Sequence, residues 1–180
     1  MKIKNSFYGI LAGNKIIVTD KRNIDKLIQK GFGELKKEKE GRKLVLDLFE
    51  GLFLLKNKRF AILDLKGNKI NEFEIQKIAK KESKEFYLQY LVFEDLRNRG
   101  YCVKTGFKFG FEFRVYPKGK LPGESHSEAV VCVLPQNKRI SMVELNRMVR
   151  LAKALNTELI LAVIDSEDEI NYYKIERKKL

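Results

Sequence analysis

Short apolar runs separated by turn-forming residues dominate the first part of the chain, and this pattern predicts a small α/β domain. Two apolar runs flank Gly13 and predict a β-hairpin, and a second strand–turn–strand unit surrounds Gly67. From Arg42 onwards, leucines at helical spacing predict a longer helix, and shorter helices precede and follow it. The charged stretch KKESKE around Ser83 is typical of a linker, so we expect the first domain to span residues 1–83.

Residues 84–180 predict a second domain with the element order α-β-β-β-α-β-β. Its first helix ends at Gly100, and its second begins at an S-x-x-E capping box formed by Ser141 and Glu144. Two uninterrupted apolar runs, SEAVVCVLP and TELILAVIDS, are typical of strands that are buried on both faces. The chain therefore predicts an α+β fold in which helices flank a mixed β-sheet.

An aromatic stripe precedes the first of these apolar runs. Its members are spaced two apart, and they are Phe107, Phe109, Phe111 and Phe113. A spacing of two places all four rings on one face of a strand or of a bent hairpin. We expect this face to pack in the core rather than to stack on nucleic-acid bases.

The charge of the chain favours a polyanionic partner. Its 37 Lys and Arg residues exceed its 24 Asp and Glu residues, which gives a net charge of +13. Nucleic acid suits such an excess because phosphate contacts release counterions, although a Lys- and Glu-rich composition also accompanies heat adaptation. No basic amphipathic helix, membrane-spanning run or signal peptide stands out. We therefore expect a soluble, cytoplasmic protein with no membrane partner.

Most catalytic templates fit the sequence poorly. The two cysteines, Cys102 and Cys132, lie apart in apolar runs and define neither a disulfide framework nor a zinc site. No phosphate-binding loop and no nucleophile elbow is present. We therefore expect neither a metal nor a cofactor.

The one histidine, His126, occupies a polar loop with a serine on each side, directly before an apolar strand. Imidazole exchanges protons near neutral pH, so this position suits general acid–base chemistry as well as it suits an exposed structural histidine. Tyr116 ends the preceding strand. The tyrosine and the histidine thus bracket one loop and are placed to face each other across its mouth.

Two long segments resemble the catalytic domain of archaeal tRNA-splicing endonucleases. They are YLVFEDLRNRGYCVKTGFKFGFEFRVY and MVRLAKALNTELILAVIDSEDEINYY, and the likeness is strong from Tyr87 to Glu176. The resemblance implies a nuclease-like C-terminal domain that cuts precursor tRNA at bulge-helix-bulge intron junctions. It also implies metal-free chemistry that leaves a 2′,3′-cyclic phosphate and a 5′-hydroxyl.

The resemblance implies roles for three positions. Tyr116 matches the base that acts on the 2′-hydroxyl, and His126 matches the acid that protonates the leaving 5′-oxygen. A lysine in the family stabilises the charged phosphorane, and Thr157 occupies its position here. Loss of one preorganised donor to a transition-state oxyanion typically costs a factor of about 10²–10³ in rate.

The resemblance also implies contacts with RNA and with other subunits. Arg150 matches an arginine that stacks on a bulge base, and Arg177 is its candidate partner. An acidic hairpin tip matches a loop that docks into a basic cleft of a neighbouring subunit and holds a tetramer together, and its members are Asp165, Glu167, Asp168 and Glu169. Opposite charge makes such docking favourable in a basic protein.

Three readings of the function stay open on the sequence. The first is an active homotetrameric endonuclease that tolerates Thr157. The second is the non-cutting structural subunit of a heterotetramer with a related chain. The third is an RNA-binding module without cleavage.

Overall fold

The computed structural model describes residues 7–38, 41–58 and 60–178, and the chain divides into two compact units, 1–87 and 88–180. Both units are mixed α/β assemblies, which confirms the predicted α+β fold. Whether the units fold independently, as the predicted boundary at residue 83 implies, stays a prediction. No helix in the described ranges is long and apolar enough to cross a bilayer.

The first unit is built on a six-stranded sheet with the order β3-β4-β2-β1-β5-β6. Only the β1–β5 pair is parallel, and all other neighbours are antiparallel. Its elements are β1 (Tyr8–Ala12), β2 (Lys15–Val18), α1 (Lys21–Gln29), β3 (Glu34–Glu38), β4 (Gly41–Leu46), α2 (Leu48–Lys56), β5 (Ala61–Leu63), β6 (Lys69–Ile70) and α3 (Glu72–Glu82).

The predicted β1–β2 hairpin is confirmed, but the predicted helix from Arg42 is wrong at its start. Residues 41–46 form strand β4, in which the alternate residues Leu44 and Leu46 are fully buried. The helix begins at Leu48 because Asp47 caps it and exchanges hydrogen bonds with Glu50. Leucines at this spacing fit a strand followed by a helix as well as they fit one helix.

The second unit confirms the predicted order α-β-β-β-α-β-β. Its sheet has the order β11-β10-β9-β8-β7, in which β9 and β10 are parallel and the other neighbours are antiparallel. Its elements are α4 (Phe86–Asn98), β7 (Cys102–Thr105), β8 (Phe113–Tyr116), β9 (Ala129–Pro135), α5 (Met142–Ala154), β10 (Glu158–Ile164) and β11 (Ile170–Ile175).

Each face of this sheet is covered by one helix. Helix α5, which is capped by the Ser141 hydroxyl, packs Met148 and Ala152 against Val130 and Leu159 of the central strands. On the other face, the ring of Phe93 in α4 lies 5.8 Å from that of Phe113. Because successive side chains of a strand point to opposite faces, every second residue faces α5 and the residues between them face α4.

The prediction that all four rings of the aromatic stripe lie on one face of a strand or of a bent hairpin is wrong. Phe111 and Phe113 are fully buried, whereas Phe107 and Phe109 belong to a short 3-10 turn and are 54% and 37% exposed. The turn ends at Gly110, whose positive φ of 79° favours glycine. Glycines on both sides of the turn break the alternation, so only half of the stripe reaches the core.

Candidate active site

The candidate site lies at one end of the strands of the second sheet, and we call this row of strand ends the edge. The carboxyl end of β8 meets the amino ends of β9 and β10 there, because β8 runs antiparallel to β9 while β10 runs parallel to it. Two backbone hydrogen bonds extend the ladder to this edge. The Glu128 N–H donates to the Val115 carbonyl at 2.9 Å, and the Glu158 N–H donates to the Glu128 carbonyl at 2.9 Å. The topology thus gathers the strand ends that carry Tyr116, the His126 loop and Thr157.

Strand alternation places Tyr116 and Thr157 on the same face of the sheet. Arg114 pairs in register with Val130, which packs under α5, so Arg114 and Tyr116 lie on the α5 face. Thr157 precedes Leu159 by two positions and bonds to the end of α5, which places it on this face as well. Tyr116 and Thr157 therefore lie on the same face at this edge, with β9 between their strands.

Tyr116 is a buried tyrosine with a cation against its ring. Only 4% of its surface is exposed, and this burial raises the pKa of the phenol above its ordinary value. The guanidinium of Arg114 opposes that effect and lowers the pKa from a position 5.4 Å from the ring centre. The same guanidinium lies 4.7 Å from the Phe109 ring. Arg114 is therefore held between two aromatic rings.

His126 is exposed in the loop between β8 and β9. No hydrogen bond or ion pair engages its imidazole within the described part of the chain. The loop is shaped upstream by Glu124, whose carboxylate accepts from the Leu121 N–H at 3.0 Å and whose own N–H donates to the Leu121 carbonyl at 3.0 Å. The imidazole is thus accessible to a large substrate at the edge where β8 ends.

Thr157 has a structural contact at the end of α5. Its hydroxyl donates to the Ala152 carbonyl at 3.3 Å, and its backbone N–H donates to the same oxygen at 3.0 Å. Asn156 before it adopts a left-handed φ of 52°, which reverses the chain from helix to strand. Thr157 therefore closes the helix end, and it brings no charge to the edge.

The two arginines singled out from the sequence are both exposed. Arg150 lies in the second half of α5, whose end leads directly into β10. Arg177 lies two residues beyond Ile175, the last residue of β11, and β11 ends at the same edge because it is antiparallel to β10. Both cations are thus carried by elements that border the candidate site.

The acidic residues form an ordered turn between β10 and β11. One carboxylate oxygen of Asp165 accepts from the N–H groups of Glu167 and Glu169, each at 2.9 Å. Asp168 has a left-handed φ of 63°, which completes the reversal. Asp165 therefore folds the turn, and the side chains of Glu167, Asp168 and Glu169 are exposed at its tip.

No group of three or more His, Cys, Asp or Glu side chains in the described ranges is arranged to hold a metal ion. Neither Cys102 nor Cys132 is in a disulfide, and the Cys132 thiol donates to the Met148 sulfur at 3.5 Å.

Sequence reasoning missed the cations beside the aromatic rings of this edge. Besides Arg114, the ammonium of Lys118 lies 5.0 Å from the ring centre of Tyr101. The signal for Arg114 was present in FRVY, because a spacing of two places Arg114 and Tyr116 on one face of a strand. Lys118 lies in a loop, where spacing carries no such information.

Comparisons with known proteins assign a family to both parts of the chain. A family model described as tRNA intron endonuclease, catalytic C-terminal domain, matches residues 86–172, and one described as tRNA intron endonuclease, N-terminal domain, matches residues 7–75. The tRNA-splicing endonuclease of Thermococcus kodakarensis is 37% identical over 92% of this chain and 95% of its own length. That of Pyrococcus abyssi is 35% identical over 98% of both chains. That of Methanococcus vannielii is 35% identical over 99% of this chain and 98% of its own.

Proposed function

The chain belongs to the tRNA intron endonuclease family, and we propose that it cuts precursor tRNA at bulge-helix-bulge junctions with Tyr116 as base and His126 as acid. The observation that carries this proposal is the convergence of strand ends at one edge, where the phenol and the accessible imidazole border a single loop. Tyr116 and His126 are the two residues of this edge that match the reacting groups of the family.

The reaction is an internal transesterification. The phenolate of Tyr116 takes the proton of the 2′-hydroxyl, and the 2′-oxygen attacks the adjacent phosphorus. The bond between phosphorus and the 5′-oxygen breaks, and protonated His126 donates its proton to that oxygen. The products are a 2′,3′-cyclic phosphate and a 5′-hydroxyl. Proton exchange with water then restores the phenolate and the imidazolium.

Arg114 makes this use of Tyr116 more favourable. Burial disfavours the phenolate, since it raises the pKa of the phenol, whereas the guanidinium over the ring favours the charged form. Arg114 is thus a positioning residue that increases the fraction of Tyr116 in the reactive form. Its proposed effect is exerted through Tyr116.

Arg150, Arg177 and the acidic turn extend the proposal beyond the reacting groups. The two exposed arginines contact the RNA next to the cut phosphate, where guanidinium groups stack on unpaired bases or bind phosphate. The exposed carboxylates of the turn dock into a basic surface of another subunit, because a chain of net charge +13 offers such surfaces. The working assembly is a homotetramer, or a heterotetramer with a related subunit.

Thr157 favours one alternative function. Its hydroxyl is engaged at the end of α5 and it is uncharged, so the edge lacks the family lysine at this position. A chain that lost this charge fits the structural subunit of a heterotetramer, which docks through its acidic turn while another chain cuts. Cleavage by the purified chain alone separates the two functions.

We expect His126→Ala to abolish cutting while RNA affinity stays nearly unchanged, because the imidazole supplies a proton and little binding energy. The measurement is single-turnover cleavage of a bulge-helix-bulge RNA, with affinity measured on the same RNA carrying a 2′-deoxy nucleotide at the junction. Ser127→Ala, at the next position of the loop, is the control for loop structure. Cutting by His126→Ala at the unmodified rate removes the proton-donor role.

A further inference from the structure

The proposed reaction leaves one charge requirement unmet. Attack by the 2′-oxygen places an additional negative charge on the phosphate oxygens, and a preorganised cation stabilises that charge. Thr157 stands where a lysine would serve, but its hydroxyl donates to the Ala152 carbonyl. Another cation at the same edge and on the same face is therefore needed.

The register of β10 and β11 identifies that cation. The antiparallel pairs run from Ile164 opposite Ile170 to Leu159 opposite Ile175. The last of these pairs is two residues from each position, because Thr157 precedes Leu159 by two and Arg177 follows Ile175 by two. Both positions therefore leave the sheet at the same end. Paired residues have Cβ atoms roughly 4.5–5.5 Å apart, and an arginine side chain is longer than that separation, so the guanidinium is long enough to approach the end that carries Thr157.

Three other cations near this edge have contacts of their own. The Lys174 ammonium is paired with Glu158 at 2.6 Å, on the opposite face. Lys118 lies over the Tyr101 ring, and Arg114 lies between two rings. Arg177 is exposed, as Arg150 and Lys153 of α5 are, and within the described ranges no hydrogen bond, ion pair or ring contact engages these three side chains. Arg177 is the one of the three that follows the strand paired with β10, the strand that Thr157 precedes.

We propose that Arg177 binds the non-bridging oxygens of the scissile phosphate and replaces the charge that is missing at Thr157. Guanidinium suits this task because it presents parallel N–H donors in a plane and stays protonated. The inference rests on the proposed function, and it assigns Arg177 to the reacting phosphate rather than to a neighbouring base. It also explains how a chain with an uncharged residue at position 157 retains catalysis.

The test compares cleavage rates of four chains: unmodified, Arg177→Ala, Thr157→Lys and the double variant. We expect Arg177→Ala to lower the single-turnover rate about 10²–10³-fold. Thr157→Lys restores most of that loss in the Arg177→Ala background, whereas it raises the rate of the unmodified chain only slightly. Lys178→Ala is the matched control and retains the unmodified rate.

Three results overturn the inference without touching the proposed function. The first is an unmodified chain that cuts and an Arg177→Ala chain that cuts equally fast. The second is an equal gain from Thr157→Lys in both backgrounds, which shows that the two positions act independently. The third is a loss of affinity for the 2′-deoxy RNA as large as the loss of rate, because Arg177 then binds ground-state RNA. Failure of the unmodified chain to cut in any assembly removes the proposed function itself.

Discussion

At the scale of single residues, the proposed site depends on a buried phenol that acts as a base. The ring of Tyr116 is packed in the sheet, and this burial raises the pKa of its hydroxyl. Among the described residues, Arg114 is the one cation that lies over this ring. The balance of these two effects sets the fraction of phenolate at a given pH, and therefore the rate of proton removal.

We predict that Arg114→Met lowers the cleavage rate and shifts the alkaline limb of the pH–rate profile to higher pH. The phenol pKa rises when the guanidinium is removed, so less phenolate is present at every pH below that pKa. Arg114→Lys keeps a positive charge and shifts the limb less. The measurement is single-turnover cleavage as a function of pH, and a profile unchanged in shape by Arg114→Met contradicts the role.

Part of the candidate site could be predicted from the sequence, but not all of its contacts. Tyr116 and His126 were predicted because a strand end and a polar loop are readable from local pattern and because their segments resemble a family, and their roles stay a prediction. The engagement of Thr157 with the Ala152 carbonyl was not readable, since it depends on how α5 ends in three dimensions. The charge over the Tyr116 ring likewise depends on side-chain packing that no spacing rule specifies.

At the scale of elements, the helices and strands that could be predicted from the sequence are the ones that begin or end at capping or turn residues. The hairpin at Gly13 and the start of α5 at Ser141 are examples. The strand β3 was missed because all its residues are exposed, so it has no alternation of apolar and polar positions. The helix assigned from Arg42 failed because leucines spaced by two and by four belong to both periods.

Helix α4 is tied to strand β11 by a partly buried polar contact. The Tyr172 hydroxyl donates to Asp95 at 2.7 Å, and the Arg99 guanidinium also bonds that carboxylate at 2.7 Å. Burial is the first cause that raises the pKa of Tyr172, and the bond to Asp95 adds to it. The neutral phenol is thus favoured by the fold.

We predict that Tyr172→Phe lowers the free energy of unfolding by about 1–2 kcal/mol, because Asp95 loses one donor. The unmodified chain loses stability as pH rises above the ordinary tyrosine pKa of about 10, since the unfolded phenol ionises first. The variant shows a smaller loss. Tyr173→Phe, at the exposed neighbouring position, is the control in denaturant titrations at neutral and alkaline pH. Equal behaviour of the two variants contradicts the assignment.

At the scale of the whole molecule, we expect charge to serve both the binding of RNA and the docking of subunits. The net charge of +13 suits RNA, while the turn between β10 and β11 concentrates exposed carboxylates at one place. The turn is ordered by Asp165, so its tip has a fixed shape that a complementary surface can bind. Docking of this turn on another subunit stays a prediction from the family resemblance, because a charged turn is by pattern equally suited to solvent.

We predict that the double variant Glu167→Lys and Glu169→Lys reduces the mass in solution from that of a tetramer to that of a smaller species. The substitutions reverse the charge at the tip and leave Asp165 in place to fold the turn. Glu34→Lys combined with Glu72→Lys changes the net charge equally at exposed positions of the first unit and is the control. Light scattering that finds the same mass for both double variants contradicts docking by the acidic turn.

The most direct test of the account examines the ends that the purified chain leaves on a bulge-helix-bulge RNA in the presence of EDTA. The account predicts cutting at both junctions, with a 2′,3′-cyclic phosphate on one fragment and a 5′-hydroxyl on the next. It also predicts that one 2′-deoxy nucleotide at a junction stops cutting there. Fragments that carry a 3′-hydroxyl and a 5′-phosphate, or cutting that continues at the 2′-deoxy junction, would contradict it.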